Sequence, residues 1–218
     1  MEIKVVKNIL EANDVIASQN RALFAEKGVY VINLMGSPGA GKTTLLEKSI
    51  DALKDRNRIG VIEGDIATSR DAERISAHGI PTVQINTGAA CHLDGNMVRG
   101  GLNELDLDLI DLLIVENVGN LVCPAEFNIG EDDKVMIISV TEGDDKPEKY
   151  PLMFQVSSIL LLNKLDLLPH LDFDMGRFQQ DALKINPNLK IITLSCKTGE
   201  GLDTWFRWLE ERTSREDS

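Results

Sequence analysis

Hydrophobic residues along this chain fall into short runs that are separated by longer stretches with helical spacing. Several of the runs are continuously apolar, as are strands buried on both faces of a parallel sheet. Strands that alternate with helices predict an α/β fold, with a doubly wound, mostly parallel sheet and helices on both faces. The predicted strands are 29–35, 58–64, 81–85, 109–116, 134–140, 158–163 and 190–195.

A separate helix is predicted before the first strand. Apolar side chains recur at helical spacing between residues 3 and 27, and Gly28 follows as a helix stop. We expect this helix to pack on the domain or on a dimer, or to serve a partner. The predicted organisation is an N-terminal helix over residues 1–28, one α/β domain over residues 29–212 and a polar tail that frays over residues 213–218.

Composition narrows the class of protein. The chain has 218 residues, enough for one sizeable core, and its net charge of −12 argues against non-specific nucleic-acid binding and against docking on an anionic membrane. No apolar run approaches the roughly 20 residues of a membrane helix, and the charged N-terminus does not resemble a signal peptide. Three widely spaced cysteines fit a reduced, cytoplasmic setting better than a disulfide framework.

The stretch "GSPGAGKTT" matches G-x-x-x-x-G-K-[ST] and lies between a strand-like run and a helix-like stretch, as a phosphate-binding loop does. Its glycines let backbone N–H groups converge on phosphate oxygens, and the next helix adds its positive N-terminal end. We expect Lys42 to reach the β- and γ-phosphates and the Thr43 hydroxyl to ligate Mg²⁺. The predicted nucleotide-binding residues here are Gly36, Ser37, Pro38, Gly39, Ala40, Gly41, Lys42, Thr43 and Thr44.

Two later elements indicate that the base is guanine. "NKLD" ends an apolar run, as N-K-x-D does in GTP-binding proteins, and "SCK" follows the next run and resembles S-A-K. We expect Asn163 to support the loop, Lys164 to cover the base and Asp166 to accept hydrogen bonds from guanine. Adenine lacks those donors and would leave the carboxylate unpaired. The second element contributes Ser195, Cys196 and Lys197, and its backbone is expected to meet guanine O6.

The predicted strand that ends at Glu116 resembles a Walker B element followed by a D-x-x-G switch, with Glu in place of Asp. We expect Glu116 near Mg²⁺ and the Gly119 N–H near the γ-phosphate. Either Asp65 or Asp71 is expected to ligate Mg²⁺ or to orient the attacking water, and Asp71 can equally be a stabilising acid at a helix N-terminus. The predicted catalytic residues are Lys42, Asp65, Asp71, Glu116 and Gly119.

Intrinsic GTP hydrolysis is predicted to be slow. Asn120 follows Gly119, at the place where many small GTPases carry a water-positioning glutamine. No arginine finger is identified in the sequence. We therefore expect a switch and not a metabolic enzyme.

Cysteine and histidine form a third candidate site. Cys91 and His92 are adjacent, and 31 residues lie between Cys91 and Cys123, so the spacing alone is a weak metal signal. All three lie on segments expected to face the nucleotide, and thiolate with imidazole suits Zn²⁺ or Ni²⁺. Three ligands are too few for a closed tetrahedral site, so a metal shared by two chains is one solution and buried structural cysteines are the other. Redox chemistry is disfavoured because no resolving cysteine is near in sequence; Cys196 is interpreted as a structural residue.

Six stretches together resemble the hydrogenase nickel-incorporation GTPases of the HypB family, within the SIMIBI class of dimerising P-loop GTPases. The resemblance covers roughly residues 28–200 and is carried by "GSPGAGKTT", "EGDIATSRDAERI", "NTGAACHLD", "DLLIVENVGNLVCPAEF", "SVTEGDDKPEKYP" and "NKLDLLP". Many bacterial members carry an N-terminal C-x-x-C-G-C motif, and some carry a histidine-rich stretch. This sequence begins "MEIKVVKNIL" and shows neither, so the resemblance is to a short form.

The resemblance implies a GTPase that helps to load nickel into [NiFe]-hydrogenase and dimerises with GTP. It places Ni²⁺ or Zn²⁺ at the subunit interface, implies that Lys149 reaches nucleotide across the dimer, and implies as partners another nickel maturation factor and the hydrogenase large subunit. The implied Ni²⁺ or Zn²⁺ ligands are Cys91, His92 and Cys123, and the implied Mg²⁺ residues are Thr43, Asp71 and Glu116.

Other functions are weighed against this one. A GTPase chaperone for urease nickel is expected to carry C-P-H where this chain has "VCPAEF", and a chaperone for a cobalamin-dependent mutase has no need of the Cys91, His92 and Cys123 set. A small-molecule P-loop kinase does not explain "NKLD" and "SCK". A metal-binding module with a degenerate nucleotide site does not explain the intact Lys42 and Thr43 pair.

Overall fold

The computed structural model describes residues 4–66 and 69–213, with side chains described from residue 9 onward. Its centre is a seven-stranded sheet in the order β3-β2-β4-β1-β5-β6-β7, and every pair of neighbouring strands is parallel. The predicted fold class is therefore confirmed. The strands are β1 Tyr30–Gly36, β2 Ile59–Asp65, β3 Thr82–Asn86, β4 Leu112–Glu116, β5 Asp133–Ser139, β6 Ile159–Asn163 and β7 Lys190–Thr193.

Helices connect the strands, and short 3₁₀ turns lie at Leu107–Leu109, Val140–Glu142 and Leu165–His170. The α-helices are α1 Lys4–Lys27, α2 Lys42–Leu53, α3 Arg70–Ser76, α4 Gly95–Leu102, α5 Cys123–Glu126, α6 Lys146–Lys149, α7 Pro151–Val156, α8 Met175–Ile185 and α9 Leu202–Thr213. Of the tail predicted to fray, residues 213–218, Thr213 is the last residue of α9, and residues 214–218 lie outside the described part of the chain. Among the described residues, no helix has the length and apolarity needed to span a bilayer.

All seven predicted strands overlap observed ones, with ends that differ by up to three residues, and local side-chain caps explain the difference at two of them. The run predicted to begin at residue 109 starts as a strand only at Leu112, because the Asp106 carboxylate caps a 3₁₀ turn by accepting from the Asp108 N–H at 3.1 Å. The run predicted to reach residue 140 leaves the sheet after Ser139, where Ser139 and Glu142 form a capping box. Such caps satisfy backbone groups that a longer strand would pair.

The core lies on both faces of the sheet because successive residues of each strand point in opposite directions. On β4, Leu112 and Ile114 pack with α2 and α9, whereas Leu113 and Val115 pack toward α1 and α4. The second face continues over β5 and β6 into a cluster that includes residues of α7 and α8. Helix α1 belongs to the first part of this face through the buried Phe24.

Parallel strands bring all their carboxyl ends to one edge of the sheet. The last residues of β1, β2, β4, β5 and β6 therefore lie near one another at this edge. The strand order reverses at β1, because β4 and β2 lie on one side of β1 and β5 lies on the other. Ligands of open α/β sheets bind at such a switch in strand order. The fold places the candidate site beside the end of β1.

Candidate nucleotide and metal site

A cavity of about 570 Å³ opens at this edge. Its lining comes from the phosphate loop, the end of β2, α3 and the segment after β4. Of the residues predicted from sequence, it contains Pro38, Gly39, Gly41, Lys42, Thr43, Thr44, Asp65, Asp71, Glu116, Gly119 and Lys164. The other predicted residues lie outside its lining: Gly36, Ser37, Ala40, Cys91, His92, Cys123, Lys149, Asn163, Asp166, Ser195, Cys196 and Lys197.

The phosphate loop is tightly fitted to the sheet. A side chain at Gly36 would overlap the Ile137 carbonyl, and Gly41 has φ 105° and lies against the Asn163 amide, so both positions require glycine. Helix α2 begins at the next residue, Lys42, whose ammonium lies 3.3 Å from the Gly36 oxygen. Burial lowers the pKa of Lys42, an effect that nearby carboxylates, Glu116 first, oppose.

Two buried carboxylates face each other at the floor of the cavity. The Thr43 hydroxyl donates to Glu116 Oε1 at 3.0 Å, and the register of β2 and β4 sets Glu63 beside Glu116. Burial raises the pKa of Glu116 to about 7; burial and then the charge of Glu116 raise the pKa of Glu63 to about 8. Within the described residues, the Oε2 atoms of both side chains are buried without a hydrogen-bond partner. Orphaned carboxylate oxygens beside a threonine hydroxyl fit a hard divalent cation such as Mg²⁺.

Glu63 was not predicted from the sequence, although an acid inside the apolar run "RIGVIEG" was a signal. Arg74 is a second site residue that was not predicted from the sequence. It lines the cavity and forms ion pairs with Asp71 at 3.0 Å and Glu47 at 2.7 Å. Asp65 accepts a hydrogen bond from the Ile66 N–H at 2.6 Å and also lines the cavity. Because Asp65 and Asp71 share one cavity, both predicted roles stay open for each.

The predicted base segment, "NKLD" with "SCK", is bonded directly to the phosphate loop. The Asn163 amide donates to the Ala40 carbonyl at 2.9 Å, and its oxygen accepts from the Lys164 and Cys196 N–H groups at 2.7 and 3.0 Å. Lys164 adopts a left-handed backbone with φ 63° and donates through Nζ to the Gly39 carbonyl at 2.7 Å. The segment is thus held in a fixed position relative to the phosphate loop.

Asp166 is the carboxylate that this segment presents. The Ser195 hydroxyl donates to it at 2.7 Å and the Lys197 ammonium lies 3.6 Å away. The Ser195 hydrogen bond, with the charge of Lys197 as a smaller contribution, lowers the pKa of Asp166, so it is ionised at neutral pH. Cys196 is buried, and burial raises the pKa of its thiol to about 11, which agrees with a structural role.

Cys91, His92 and Cys123 come together, and we call these three residues the metal cluster. One ligand atom from each lies within 4.8 Å of the others, and the two Sγ atoms are 3.0 Å apart. The His92 ring stacks on Phe127 with a centroid separation of 3.9 Å, and burial lowers the pKa of His92, which favours a neutral imidazole. Two thiols and an imidazole are donors that Zn²⁺ and Ni²⁺ accept.

Separation in sequence does not exclude redox chemistry at this pair. Cys123 is distant from Cys91 in sequence, but in the fold its Sγ lies 3.0 Å from that of Cys91, where the thiol of a resolving cysteine would lie. The hydrogen bond to Cys91 and burial raise the pKa of Cys123, and the amide of Asn120 acts in the opposite direction. Because the thiolate is the metal ligand and the nucleophile, Cys123 has to lose a proton before it binds metal or is oxidised, and the short distance between the two Sγ atoms is what makes both reactions geometrically accessible.

Asn117 connects the Glu116 end of β4 to the metal cluster. It directly follows Glu116, is buried, and accepts from the Leu93 N–H at 2.9 Å, one residue after His92. Its own amide donates to Asn33 on β1 at 3.0 Å. Sequence reasoning missed this residue because the partner segment is separated from it by the whole of α4 and β4.

Lys149 lies apart from both sites. It is exposed on α6, forms an ion pair with Asp145, and that pairing raises its pKa. It does not line the nucleotide cavity of its own chain. A role across a dimer stays a prediction.

Comparison with known proteins gives consistent matches. The model of the CobW/HypB/UreG nucleotide-binding domain matches residues 30–193. Hydrogenase maturation factor HypB of Rhizobium leguminosarum bv. viciae is 51% identical over 98% of this chain and 71% of its own, and the probable HypB of Methanocaldococcus jannaschii is 44% identical over 96% and 95%. A crystal structure of HypB from Helicobacter pylori in complex with nickel superimposes with a TM-score of 0.88 at 38% identity, covering 95% of this chain and 99% of that one.

Proposed function

Because the chain belongs to the hydrogenase maturation factor HypB family, we propose that it is a GTP-hydrolysing metallochaperone for [NiFe]-hydrogenase. Its task in this proposal is to assist nickel insertion. GTP controls dimerisation and the metal cluster, and the nickel is cargo and not a resident cofactor.

One observation carries the proposal: a single short segment joins the two sites. Glu116 and Gly119 line the nucleotide cavity, and Cys123, four residues further on, belongs to the metal cluster. A displacement of Glu116 or Gly119 by the nucleotide therefore reaches the Cys123 thiol within a few residues. Two sites linked this closely favour coupled binding over two independent activities.

The nucleotide-binding residues have distinct roles in this proposal. Lys42 and the loop N–H groups hold the β- and γ-phosphates, and Thr43 with Glu116 holds Mg²⁺, which neutralises charge on the phosphate oxygens. Asp166 selects guanine, because its ionised carboxylate needs two donors. Asp65 or Asp71 orients the attacking water, and the carboxylate that does not do so supports Mg²⁺. Glu63 supplies a further buried carboxylate at the same floor.

Slow turnover follows from the position of Asn120. Its side chain donates to the Cys91 carbonyl at 3.3 Å and accepts from the Val122 N–H at 2.8 Å, and it does not line the cavity. An amide held this way is not free to orient water, as the glutamine of small GTPases does. The proposed enzyme is therefore a timed switch.

A shared metal site accounts for the composition of the cluster. One chain offers three soft ligands, and Cys91 is exposed, so a two-fold-related copy can bring its own three ligands to the same place. The exposed Lys149 is available to reach nucleotide in that copy. In this proposal the GTP-bound dimer completes the site, with Ni²⁺ or Zn²⁺ as the metal.

The proposed setting is the cytoplasm, with another nickel maturation factor and the hydrogenase large subunit as partners. The proposed chemistry requires reduced thiols, and the cytoplasm keeps thiols reduced. Neither nucleic acid nor membrane enters the proposal, because the net charge of −12 opposes both.

The experiment is a nickel titration of wild type, Cys91→Ala and Cys123→Ala, each with Mg²⁺ and either GDP or a non-hydrolysable GTP analogue, with the mass in solution measured at each step. We expect wild type to bind nickel and to dimerise with the GTP analogue, and we expect both variants to lose nickel binding at the cluster.

Cys196→Ala is the matched control, since it removes a buried thiol outside the cluster and should leave the nickel stoichiometry unchanged. Nickel binding by both cluster variants at wild-type strength contradicts the metal part of the proposal. A monomer in every nucleotide state contradicts the dimer.

A further inference from the structure

Asn120 is hydrogen-bonded to the start of the phosphate loop, to the loop that carries Cys91 and, within its own segment, to Val122. Its backbone N–H donates to the Gly36 carbonyl at 3.0 Å, where the phosphate loop begins. Its side-chain amide donates to the Cys91 carbonyl at 3.3 Å, and its side-chain oxygen accepts from the Val122 N–H at 2.8 Å. One residue thus touches the nucleotide loop and both halves of the metal cluster.

The attachment to the nucleotide loop leaves little freedom. Gly119, just before Asn120, lies so close to Pro38 that an added Cβ would be 3.0 Å from the Pro38 nitrogen. Gly36 is itself pressed against the Ile137 carbonyl of β5. A shift of the phosphate loop therefore has to move the 119–120 backbone, because close-packed segments transmit displacement instead of absorbing it.

The attachment to the metal cluster is made by the two ends of one rigid group. The amide nitrogen and oxygen of Asn120 are fixed relative to each other by the planar amide, and each holds one half of the cluster: Cys91 directly, and Cys123 through its neighbour Val122. The thiols held in this way are 3.0 Å apart. Movement of Asn120 changes the position of both thiols together.

We propose that Asn120 is the positioning residue that couples the nucleotide state to metal affinity. The inference rests on the proposed function and adds to it the group through which the coupling acts. This role also explains why an asparagine follows Gly119. Its side chain is hydrogen-bonded to the metal cluster, and its backbone N–H is hydrogen-bonded to the phosphate loop.

A second asparagine ties the same two segments without contacting the phosphate loop. Asn13 on α1 accepts from the Gly95 N–H at 2.8 Å and donates to the Asn128 carbonyl at 2.8 Å, so it holds the chain beyond His92 and beyond Cys123. Asn13 is buried and bridges both halves as Asn120 does. It is the matched control for a residue that supports the cluster but does not connect it to the nucleotide.

The experiment measures the dissociation constant of nickel ion alone with saturating Mg²⁺–GDP and with a saturating Mg²⁺–GTP analogue, in wild type, Asn120→Ala and Asn13→Ala. The quantity of interest is the ratio of the two constants. We expect a ratio of about 5 or more in wild type, since couplings of 5–150-fold are typical, and a ratio below about 2 in Asn120→Ala. Asn13→Ala should weaken nickel binding by a similar factor in both nucleotide states and keep the wild-type ratio.

Reciprocity supplies an internal check. Nickel must change the affinity of the GTP analogue relative to GDP by the same factor as the nucleotide changes the affinity of nickel, and Asn120→Ala must abolish both effects. If the alanine variant does not fold, Asn120→Asp retains the acceptor for Val122 and loses the donor to Cys91, and its ratio should also fall.

The outcomes separate the two hypotheses. A wild-type protein that binds no nickel, or binds it equally in both nucleotide states, refutes the proposed function before any variant is considered. A wild-type ratio of 5 or more that Asn120→Ala or Asn120→Asp preserves overturns the role of Asn120 and leaves the proposed function standing.

Discussion

The base segment and the metal cluster lie at the same edge of one sheet, but they are constructed in opposite ways. Asn163 bonds both ends of its amide to backbone groups of its own chain, and Asp166 is oriented by the Ser195 hydroxyl. The metal cluster offers three ligands from two loops, with Cys91 exposed. Pre-organised groups lose little conformational entropy on binding, whereas the geometry of a loosely joined site depends on the segments around it. The first arrangement suits constant recognition and the second suits regulation.

The largest expected effect is on guanine recognition by the pre-organised base segment. Asp166→Asn removes an ionised acceptor, so GTP affinity should fall by about 10²-fold or more, since hydrogen bonds to charged groups contribute about 1.5–3 kcal/mol each. Xanthine nucleotides should gain affinity relative to GTP. Nucleotide competition measures both. Unchanged preference for GTP contradicts the assignment of Asp166, and Asp181→Asn, on α8, is the matched surface control.

The next effect separates the sites by pH. The raised pKa of Cys123 means that nickel must displace protons, so nickel affinity should rise by about tenfold per pH unit for each proton released, between pH 6 and pH 8. The lowered pKa of Asp166 leaves it ionised throughout this window, so the preference for GTP over ATP should stay level, while the pKa of Glu116, about 7, makes the affinity for both nucleotides depend on pH. Titrations of nickel, GTP and ATP at several pH values measure the nickel slope and the GTP preference. A flat nickel profile means that the thiols are not the ligands.

A smaller effect concerns the support of the cluster. Phe127→Ala removes the ring on which His92 stacks, and loss of a group that orients a ligand costs about 10–100-fold in metal affinity. We expect a loss near the lower end, without change in GTP affinity. Phe173→Ala, which removes a ring from the α8 side of the molecule, is the control. Equal nickel affinity in Phe127→Ala and wild type would show that His92 needs no such support.

The smallest effect is on stability at the cavity floor. The pKa of Glu63 is raised to about 8 from an ordinary 4.5, so the metal-free protein loses stability as pH rises between these values, where the unfolded chain ionises and the folded one resists. Glu63→Gln should remove its share of this dependence, while the raised pKa of Glu116 leaves a smaller one, and should raise Tm by a few degrees at pH 8, given about 2–4 °C per kcal/mol for a chain of this size. Melting curves without Mg²⁺ at pH 6 and pH 8 measure it. A wild-type Tm that does not fall between them contradicts the prediction.

The sequence predicted what is local and missed what depends on register or on distant loops. The phosphate loop and "NKLD" are readable because each is one continuous stretch between a strand and a helix. Glu63 was missed because its position beside Glu116 depends on the register of β2 and β4. Asn117 was missed because its contact with Leu93 depends on how the loop beyond His92 folds. The thiol contact between Cys91 and Cys123 depends on the same folding of distant loops.

The strand order divides the edge into two halves about β1. The segments of Cys91 and Cys123 follow β3 and β4, on one side of β1, whereas the base segment follows β6 and β7, on the other side. Glu116 and Gly119, which line the nucleotide cavity, lie on the same side as the two cysteines. A change on that side therefore affects the metal cluster and the phosphate end of the cavity together, whereas the residues that recognise the base form a separate module.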